Sequence, residues 1–489
     1  MRLLERHELA YLQDWAGREG RKPLVIRGGR QVGKSTLVRE FARVSGLRLV
    51  DINLERDPQM GQAFATNDPA EILSILSLMT GQSIATGESL LFLDEIQAVP
   101  SALAALRYFY EEMPGLHVVA AGSLLELALG EKGFPMPVGR IEFLHLGPMD
   151  FEDFLVAVDR PQLAEHLRSF SLAESIPDAL HRQYLDLLRQ YWVVGGLPEA
   201  VAVFASTGSE EPRDFGSVAR IQQNMVATYR DDFAKYSHGR LRERMQLVFD
   251  RLPAMVGRKF KYSAVSRDHR AAELSDALGH LCMARVARKV HRTAANGLPL
   301  GAEVYERHFK CLTMDVGLMC AALRLNTVDL GKEDPVLVND GAVAEQFVGQ
   351  HLLASGLPYE TPTLHYWARE ARNAAAEVDY LVPIGRHIVP VEIKAGTTGS
   401  LRSLHQFMAE KRCDFGIRLN ADLPSLLRDA RRLADGTSIQ YRLLSLPLYL
   451  VGQVRRLAVE CVELGLGRDS SGPVVAPGAT GVDSATFDG

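Results

Sequence analysis

Cysteine is scarce in this sequence. Five cysteines occur in 489 residues, and no two of them form a CxxC pair. An odd number of unpaired cysteines excludes a disulfide framework and a cysteine-rich zinc site, and it fits a reducing compartment. The five are Cys282, Cys311, Cys320, Cys413 and Cys461.

Long apolar runs are also missing. No run reaches the roughly 18 apolar residues that a membrane-spanning helix requires, and the longest candidate, LLSLPLYLVGQV, contains a proline. The N-terminal stretch MRLLERHELAYLQDW predicts a charged amphipathic helix without the apolar core of a signal peptide. We therefore expect a cytoplasmic protein with no membrane segment.

Net charge is small, at −5, so any binding to nucleic acid requires a local basic patch. The length of 489 residues predicts about three domains. We expect them at residues 1–148, 149–335 and 336–465. Residues 466–489 are rich in glycine, serine and alanine and are expected to form a disordered tail.

The predicted fold class is α/β, with a helical middle. In residues 23–148, apolar runs alternate with helical patterns, which is typical of a mainly parallel sheet. The strands are expected at PLVIRG, LRLVDINL, SLLFLDE and LHVVAAGS. Helical patterns dominate residues 149–330. The pattern in residues 341–464 is again α/β, with a helix at GAVAEQFVGQHLLASG followed by a hairpin, a helix and a strand.

The clearest motif is GGRQVGKS, which fits G-x-x-x-x-G-K-[ST] and lies between a predicted strand and a predicted helix. Backbone N–H groups of such a loop surround phosphates, and the following helix adds the positive end of its dipole. Lys34 would reach the β- and γ-phosphates, and Ser35 would ligate Mg²⁺. The flanking elements disfavour a chance glycine-rich turn. The predicted nucleotide-binding residues are Gly28, Gly29, Arg30, Gln31, Val32, Gly33, Lys34, Ser35 and Thr36.

Two further strands end in polar residues that suit a nucleotide site. SLLFLDEIQ ends in Asp94 and Glu95, and catalytic groups of parallel sheets belong at the carboxyl ends of the strands. Asp94 would hold Mg²⁺ through water, and Glu95 would polarise the attacking water. LHVVAAGS ends at Ser123, which is placed to touch the γ-phosphate or that water.

GGRQVGKS, FLDEIQ and AAGSLLE together resemble the P-loop, the Asp-Glu strand and the polar sensor strand of AAA-type ATPases. The resemblance extends through VGRIEFLHLGPMDFEDFL and implies that Arg140 acts as a sensor or as an arginine finger to a neighbouring subunit. A structural salt bridge at the domain edge is the alternative for Arg140. AAA-type domains often form rings, and Arg140 is the one signal here that points to a homo-oligomer.

The middle region contains a basic stretch at residues 251–292. KYSAVSRDHRAAELSDALGHLCMARVARKVHRT predicts two helices joined by a turn and then an extended segment, which resembles a winged helix that binds DNA or RNA. The alternative is a lid whose basic helix pairs with acidic surface nearby. YWVVGGLPEAV is interpreted as a tight turn between helices. The basic residues are Arg251, Arg258, Lys259, Lys261, Arg267, Arg270, Arg285, Arg288, Lys289 and Arg292.

The C-terminal stretch EVDYLVPIGRHIVPVEIKAG predicts a hairpin. Side chains two apart in a strand share a face, so one arm presents Glu377 and Asp379 together, and the other presents Glu392 and Lys394. A solvated sheet face is one interpretation. The set also resembles the PD-(D/E)XK nuclease superfamily, although no proline precedes the aspartate and Pro390 interrupts the second arm.

This second resemblance implies a site for one or two divalent metals, Mg²⁺ or Mn²⁺. Its ligands would be Glu345, on the preceding helix, with Asp379 and Glu392, while Lys394 would orient or activate the water.

Nearly the whole chain resembles a prokaryotic family with an AAA-type ATPase domain, a winged-helix-like middle and a C-terminal nuclease-like domain. Two hypotheses follow. In the first, ATP drives a conformational cycle and the C-terminal site cuts DNA or RNA. In the second, ATP operates a regulatory switch, and the nuclease-like domain binds a partner without catalysis.

Overall fold

Two β-sheets form the framework of this chain. The computed structural model describes residues 4, 6–123, 125, 137–206, 214–236, 239–325, 341–369, 375–394, 401–434 and 436–463. The predicted tail at 466–489 lies outside the described residues. Among the described helices, none combines the length and the apolar character that crossing a membrane demands.

The first sheet consists of five parallel strands in the order β2-β3-β4-β1-β5. The four strands predicted from the apolar runs are all present, and a fifth follows them. All six residues of SLLFLD and of HVVAAG are buried, as expected for strands that are covered on both faces. The bounds are β1 (Leu24–Gly28), β2 (Arg48–Asn53), β3 (Ser89–Asp94), β4 (His117–Gly122) and β5 (Glu142–Leu146).

Four helices cover the two faces of this sheet. They are α1 (Glu8–Gly17), α2 (Lys34–Ser45), α3 (Pro69–Thr80) and α4 (Pro100–Glu112). Alternate residues of β3 enter different cores: Leu90 and Phe92 pack on the side of α1 and α2, whereas Leu91 and Leu93 pack on the side of α3 and α4. Because the strands are parallel, the polar residues that follow β1, β3 and β4 meet at one edge.

The middle region is helical, as predicted, up to residue 283. There the helix containing AAELSDALGHLCM ends, and ARKVHRT forms a strand. One hydrophobic core joins these helices to the C-terminal part of the chain; for example, the ring centroids of Tyr191 and Phe347 lie 5.8 Å apart. The helices are α5 (Phe151–Ala157), α6 (Pro161–Ser169), α7 (Asp178–Val194), α8 (Pro198–Ser206), α9 (Phe215–Tyr236), α10 (Arg240–Arg251), α11 (Tyr262–Val265), α12 (Ala271–Met283) and α13 (Val316–Ala322).

The second sheet has eight strands in the order β12-β13-β11-β10-β9-β8-β6-β7. Its strands are β6 (Ala287–Thr293), β7 (Val304–Thr313), β8 (His365–Arg369), β9 (Ala376–Ile384), β10 (His387–Ile393), β11 (Phe415–Asn420), β12 (Ser425–Arg432) and β13 (Ser438–Pro447). Three helices belong to the same part of the chain: α14 (Ala342–Ala354), α15 (Arg402–Lys411) and α16 (Val454–Glu463).

The β6–β7 hairpin comes from the middle region, yet it is part of this C-terminal sheet. It joins β8 through only two parallel pairs, His291 with His365 and Arg292 with Tyr366. A hairpin edge with unpaired backbone groups gains hydrogen bonds by this addition. The sheet therefore crosses the domain boundary predicted near residue 335.

The predicted hairpin at EVDYLVPIGRHIVPVEIKAG is formed by β9 and β10. β10 is a central strand despite its proline, because its parallel ladder with β11 begins only at Val391. The N–H that Pro390 lacks therefore falls outside that ladder.

Candidate active site

The P-loop connects β1 to α2, and its glycines are required by space and by backbone conformation. A Cβ atom at Gly28 would lie 2.5 Å from the carbonyl oxygen of Leu146, and Gly33 has a φ of +91°. The Lys34 ammonium donates hydrogen bonds to the carbonyl oxygens of Gly28 at 3.1 Å and Gly29 at 2.8 Å. A phosphate in the loop would offer this ammonium a stronger, charged acceptor.

Ser35 and Asp94 lie together at the carboxyl edge of the sheet, as predicted. The Ser35 hydroxyl donates to Asp94 Oδ2 at 2.8 Å, and Asp94 is 6% exposed. Burial raises the pKa of Asp94. Two adjacent oxygen donors fit the preference of Mg²⁺ for oxygen ligands, so these residues would hold the ion, which neutralises phosphate charge when bound.

Glu95 follows Asp94 in a left-handed conformation, with a φ of +50°. Its carboxylate accepts hydrogen bonds from the Ser123 hydroxyl at 3.1 Å, the Ser123 N–H at 3.2 Å and the Gln97 amide at 2.7 Å. A strained backbone of this kind persists only where its surroundings hold it. The structure thus brings two predicted site residues, Glu95 and Ser123, into direct contact and adds Gln97, which was not predicted.

The P-loop is connected to the middle region by a hydrogen bond and an ion pair that were not predicted from the sequence. The Tyr229 hydroxyl on α9 donates to the Arg30 carbonyl oxygen at 2.7 Å, and Arg30 Nε lies 2.8 Å from Asp232 Oδ2. Met314, directly after β7, covers Gly29 so closely that a Cβ there would lie 2.6 Å from its sulfur. Nothing in the local sequence pattern marks Tyr229, which is 199 residues from Arg30.

Pro198 belongs to the same site. It approaches Gly33 to within 3.2 Å of the position that a Cβ would take. The preceding Gly196 donates its N–H to Asp315 at 2.7 Å and has no room for a side chain beside the Met149 carbonyl. The GGLP segment is a turn, as predicted, and it also sets α8 against the P-loop.

At the C-terminal sheet, two of the three predicted metal ligands, Glu345 and Asp379, lie beside a lysine together with Glu377. The Lys310 ammonium lies 2.9 Å from Glu345 Oε1, 2.6 Å from Glu377 Oε1 and 3.6 Å from Asp379 Oδ1. Lys394 pairs with Glu392 at 2.6 Å. The sequence argument did not identify Lys310, because it lies on β7, outside the predicted C-terminal domain.

With Lys310 among them, these carboxylates do not converge on a position for a metal. In the described part of the chain, ligand atoms of His7, Glu8 and Asp153 converge in a group of three within 4.8 Å, and those of the C-terminal carboxylates do not. The N-terminal group is likewise held by a cation, since Arg6 lies 3.0 Å from Glu8 and 3.3 Å from Asp153. Buried carboxylates in both places are compensated by side chains of the chain itself.

Comparison with known families matches three parts of the chain. Residues 20–155 match an AAA domain. The N-terminal part of the chain is thus similar to an AAA domain, as its motifs predict. Residues 185–329 match a domain of unknown function, DUF8612, and residues 340–426 match another, DUF4143. The nuclease resemblance of the C-terminal domain has no counterpart in these matches.

Among curated proteins, the chain has no match. Similar solved structures include two proteins of Aeropyrum pernix. One is the ORC2 protein in its ADPNP–ADP complexes, with 14% identity, 58% of this chain and 88% of that chain covered, and a TM-score of 0.31. The other is the ORC1 protein in complex with DNA, with 14% identity, 67% and 95% covered, and a TM-score of 0.29.

Arg140 of the AAA domain forms a salt bridge at its edge. Its Nε lies 2.7 Å from Glu111 Oε1 on α4, and its side chain is 43% exposed. This contact is the salt bridge at the domain edge that was the alternative interpretation of Arg140. The role of Arg140 toward a neighbouring subunit stays a prediction.

The N-terminal segment also holds the P-loop. Arg6, which is buried, donates to the Val32 carbonyl oxygen at 3.1 Å and to the Gly147 carbonyl oxygen at 3.1 Å. The predicted amphipathic helix is α1, and Arg6 lies just before it. A charged residue ahead of a helix gives no signal that it is buried, so the sequence could not assign it to the site.

The basic residues of the middle region differ in exposure, and Lys259, Lys289 and Arg292 are half-buried. One group is exposed; it comprises Arg251, Arg258, Lys261, Arg267 and Arg270. Arg285 is instead buried and, with Arg288, lines a cleft beside Gly29 of the P-loop. Burial and the nearby Arg285 lower the pKa of His145 in this cleft to about 3. Assigning Arg285 to a nucleic-acid surface was wrong, because it faces the AAA domain.

Proposed function

We propose that this protein is an ATP-dependent conformational switch, in which the P-loop transmits the nucleotide state to the middle region. The observation that carries the proposal is the bond between the loop and α9. Arg30, inside GGRQVGKS, is paired with Asp232, and its carbonyl oxygen accepts from Tyr229. A loop whose own residues are tied to another region cannot rearrange around phosphates without affecting that region.

Each residue of the site has a role in this proposal. Lys34 turns from the Gly28 and Gly29 carbonyls to the β- and γ-phosphates, and Ser35 and Asp94 hold Mg²⁺. Glu95, held by Ser123 and Gln97, accepts a proton from the attacking water. The remaining loop residues, whose N–H groups surround the phosphates, are Val32, Gly33 and Thr36 together with Gln31, which already has a φ of +61°.

Hydrogen exchange with and without ATP tests this switch. In the wild type, ATP should change amide exchange in α9, which is bonded to the P-loop. It should also change exchange in β7, which ends beside the loop. Lys34→Ala should show no ATP-dependent change, since it loses the phosphate contact. Lys22→Ala, which removes a lysine before β1 and outside the loop, is the matched control and should respond like the wild type. Unchanged exchange in a wild type that demonstrably binds ATP would exclude the switch.

A metal-dependent nuclease is the second candidate, and the C-terminal hairpin favours it. Glu392 lies on β10 and Lys394 directly follows that strand, beside Asp379, whose carboxylate accepts the Ile393 N–H at 2.9 Å. The exposed cations of residues 251–270 supply a surface for DNA or RNA phosphates, and their contribution would appear as salt-dependent binding.

A cleavage assay separates the two candidates. We expect the wild type with Mn²⁺ to leave single- and double-stranded DNA and RNA intact, because Lys310 lies among the carboxylates. Asp379→Asn and the wild type should then be indistinguishable. Cleavage by the wild type that disappears in Asp379→Asn would instead support the nuclease.

A further inference from the structure

The acidic cluster of the C-terminal domain consists of Glu345, Glu377, Asp379 and Glu392, and a lysine from another region lies at its centre. Lys310 is 1% exposed, although it belongs to the β6–β7 hairpin. Its ammonium is within 3.6 Å of oxygens from three of the four carboxylates. The three carboxylates come from two elements, since Glu345 lies on α14 whereas Glu377 and Asp379 both lie on β9.

Ammonium and metal exclude each other at this position. Metal–oxygen distances for Mg²⁺ and Ca²⁺ are about 2.0–2.6 Å, so an ion bound by the same oxygens would occupy the volume of the Lys310 ammonium. The two cations would also repel each other at a separation this short. Either Lys310 or a divalent ion can therefore satisfy these carboxylates, and not both.

A second observation shows that the two lysines do not satisfy every carboxylate oxygen of the cluster. Glu392 is 5% exposed; one of its oxygens accepts from Lys394, while Oε2 is buried without a hydrogen-bond partner among the described residues. The four carboxylates face two ammonium groups, so their formal charges do not balance. Buried carboxylate oxygens without partners are costly and are a recognised feature of ion sites.

We propose that Lys310 is a tethered cation that fills a divalent-cation site in the C-terminal domain and keeps it closed. The site opens when the β6–β7 hairpin withdraws. Only two residue pairs attach the hairpin to β8, and the Thr313 backbone at the end of β7 exchanges two hydrogen bonds with the Gln346 side chain. Opening the site requires both sets of contacts to break. Its far end contacts the nucleotide site, since Met314 follows β7 and covers Gly29.

Manganese binding to the nucleotide-free full chain, measured by electron paramagnetic resonance, tests the proposal. The wild type should bind no Mn²⁺ that depends on Asp379. Lys310→Met should gain one such ion, and combining it with Asp379→Asn should remove the gain. Lys310→Arg, which keeps the charge, and Lys261→Met, which removes an exposed lysine of the same region, should both behave like the wild type.

Two results would overturn the proposal. One is Asp379-dependent Mn²⁺ binding by the wild type, and the other is a folded Lys310→Met that gains no ion. If Lys310→Met does not fold, anomalous diffraction from wild-type crystals grown with Mn²⁺ decides the question. A peak among Glu345, Asp379 and Glu392 with Lys310 in place contradicts closure, and its absence supports closure. Because binding is measured directly, the outcome does not depend on ATP hydrolysis or nuclease activity.

Discussion

Glu95→Gln should lower the rate of ATP hydrolysis by roughly 10²–10⁴-fold while ATP binding persists, because a positioned general base contributes about that much. Glutamine keeps the size of the side chain and can still bond to Ser123, but its amide cannot accept the proton of the attacking water. The phosphate contacts of Lys34 and the loop remain. Steady-state phosphate release and binding of a fluorescent ATP analogue measure the two quantities separately.

Glu88→Gln is the matched control. Glu88 precedes β3, as Glu95 follows it, and its side chain is 70% exposed. The control should hydrolyse ATP at the wild-type rate. Unreduced hydrolysis by Glu95→Gln would remove Glu95 from the role of base, and lost ATP binding would show that its contribution is to the shape of the site.

Lys310→Met should destabilise the chain by about 3–5 kcal/mol, because removing one partner of a buried ion pair leaves the other uncompensated. Lys310 is shared by Glu345, Glu377 and Asp379, so its loss affects all three. The free energy of unfolding is measured by urea denaturation. Lys261→Met, on the exposed surface, should change it by less than about 0.5 kcal/mol. Equal stabilities of the two variants would show that the cluster does not depend on Lys310.

The loss should also depend on pH. Burial raises the pKa of Glu345 to about 7 and that of Glu392 to about 7. Because these values exceed the ordinary value of 4.5, the folded state binds more protons than the unfolded state between pH 4.5 and 7. The stability that this protonation contributes is present below pH 4.5 and is lost as the pH rises through 7. The effect of Lys310→Met should therefore be smaller at pH 5.5 than at pH 8.

The sequence predicted the AAA domain well, because its information is local. The loop GGRQVGKS lies between its strand and its helix, and Ser35, Asp94, Glu95 and Ser123 follow parallel strands whose ends must meet. Their contacts, such as Ser35 with Asp94 at 2.8 Å, then follow from topology. The hairpin of β9 and β10 was predictable for the same reason, through its alternation of apolar and charged residues.

The parts that could not be predicted depend on contacts between distant segments. Lys310 is 35 residues from Glu345, and its segment was predicted to be mainly helical and to belong to a different domain. Tyr229 and Asp232 are ordinary residues of an amphipathic helix until the fold sets them against Arg30. Arg285 illustrates the opposite error, since a cation in a basic stretch was interpreted as surface although it is buried. Charge in a sequence shows neither burial nor partner.

One consequence of the β7 strand concerns its length. Lys310 and Met314 are four residues apart, which in an extended chain is about 13 Å. The strand therefore sets the distance between the acidic cluster and Gly29. An extended segment cannot lengthen further to compensate for a change in the number of residues. Adding or deleting a single residue would turn one of the two side chains to the opposite face of the strand. The spacing between Lys310 and Met314 is thus constrained by both ends at once.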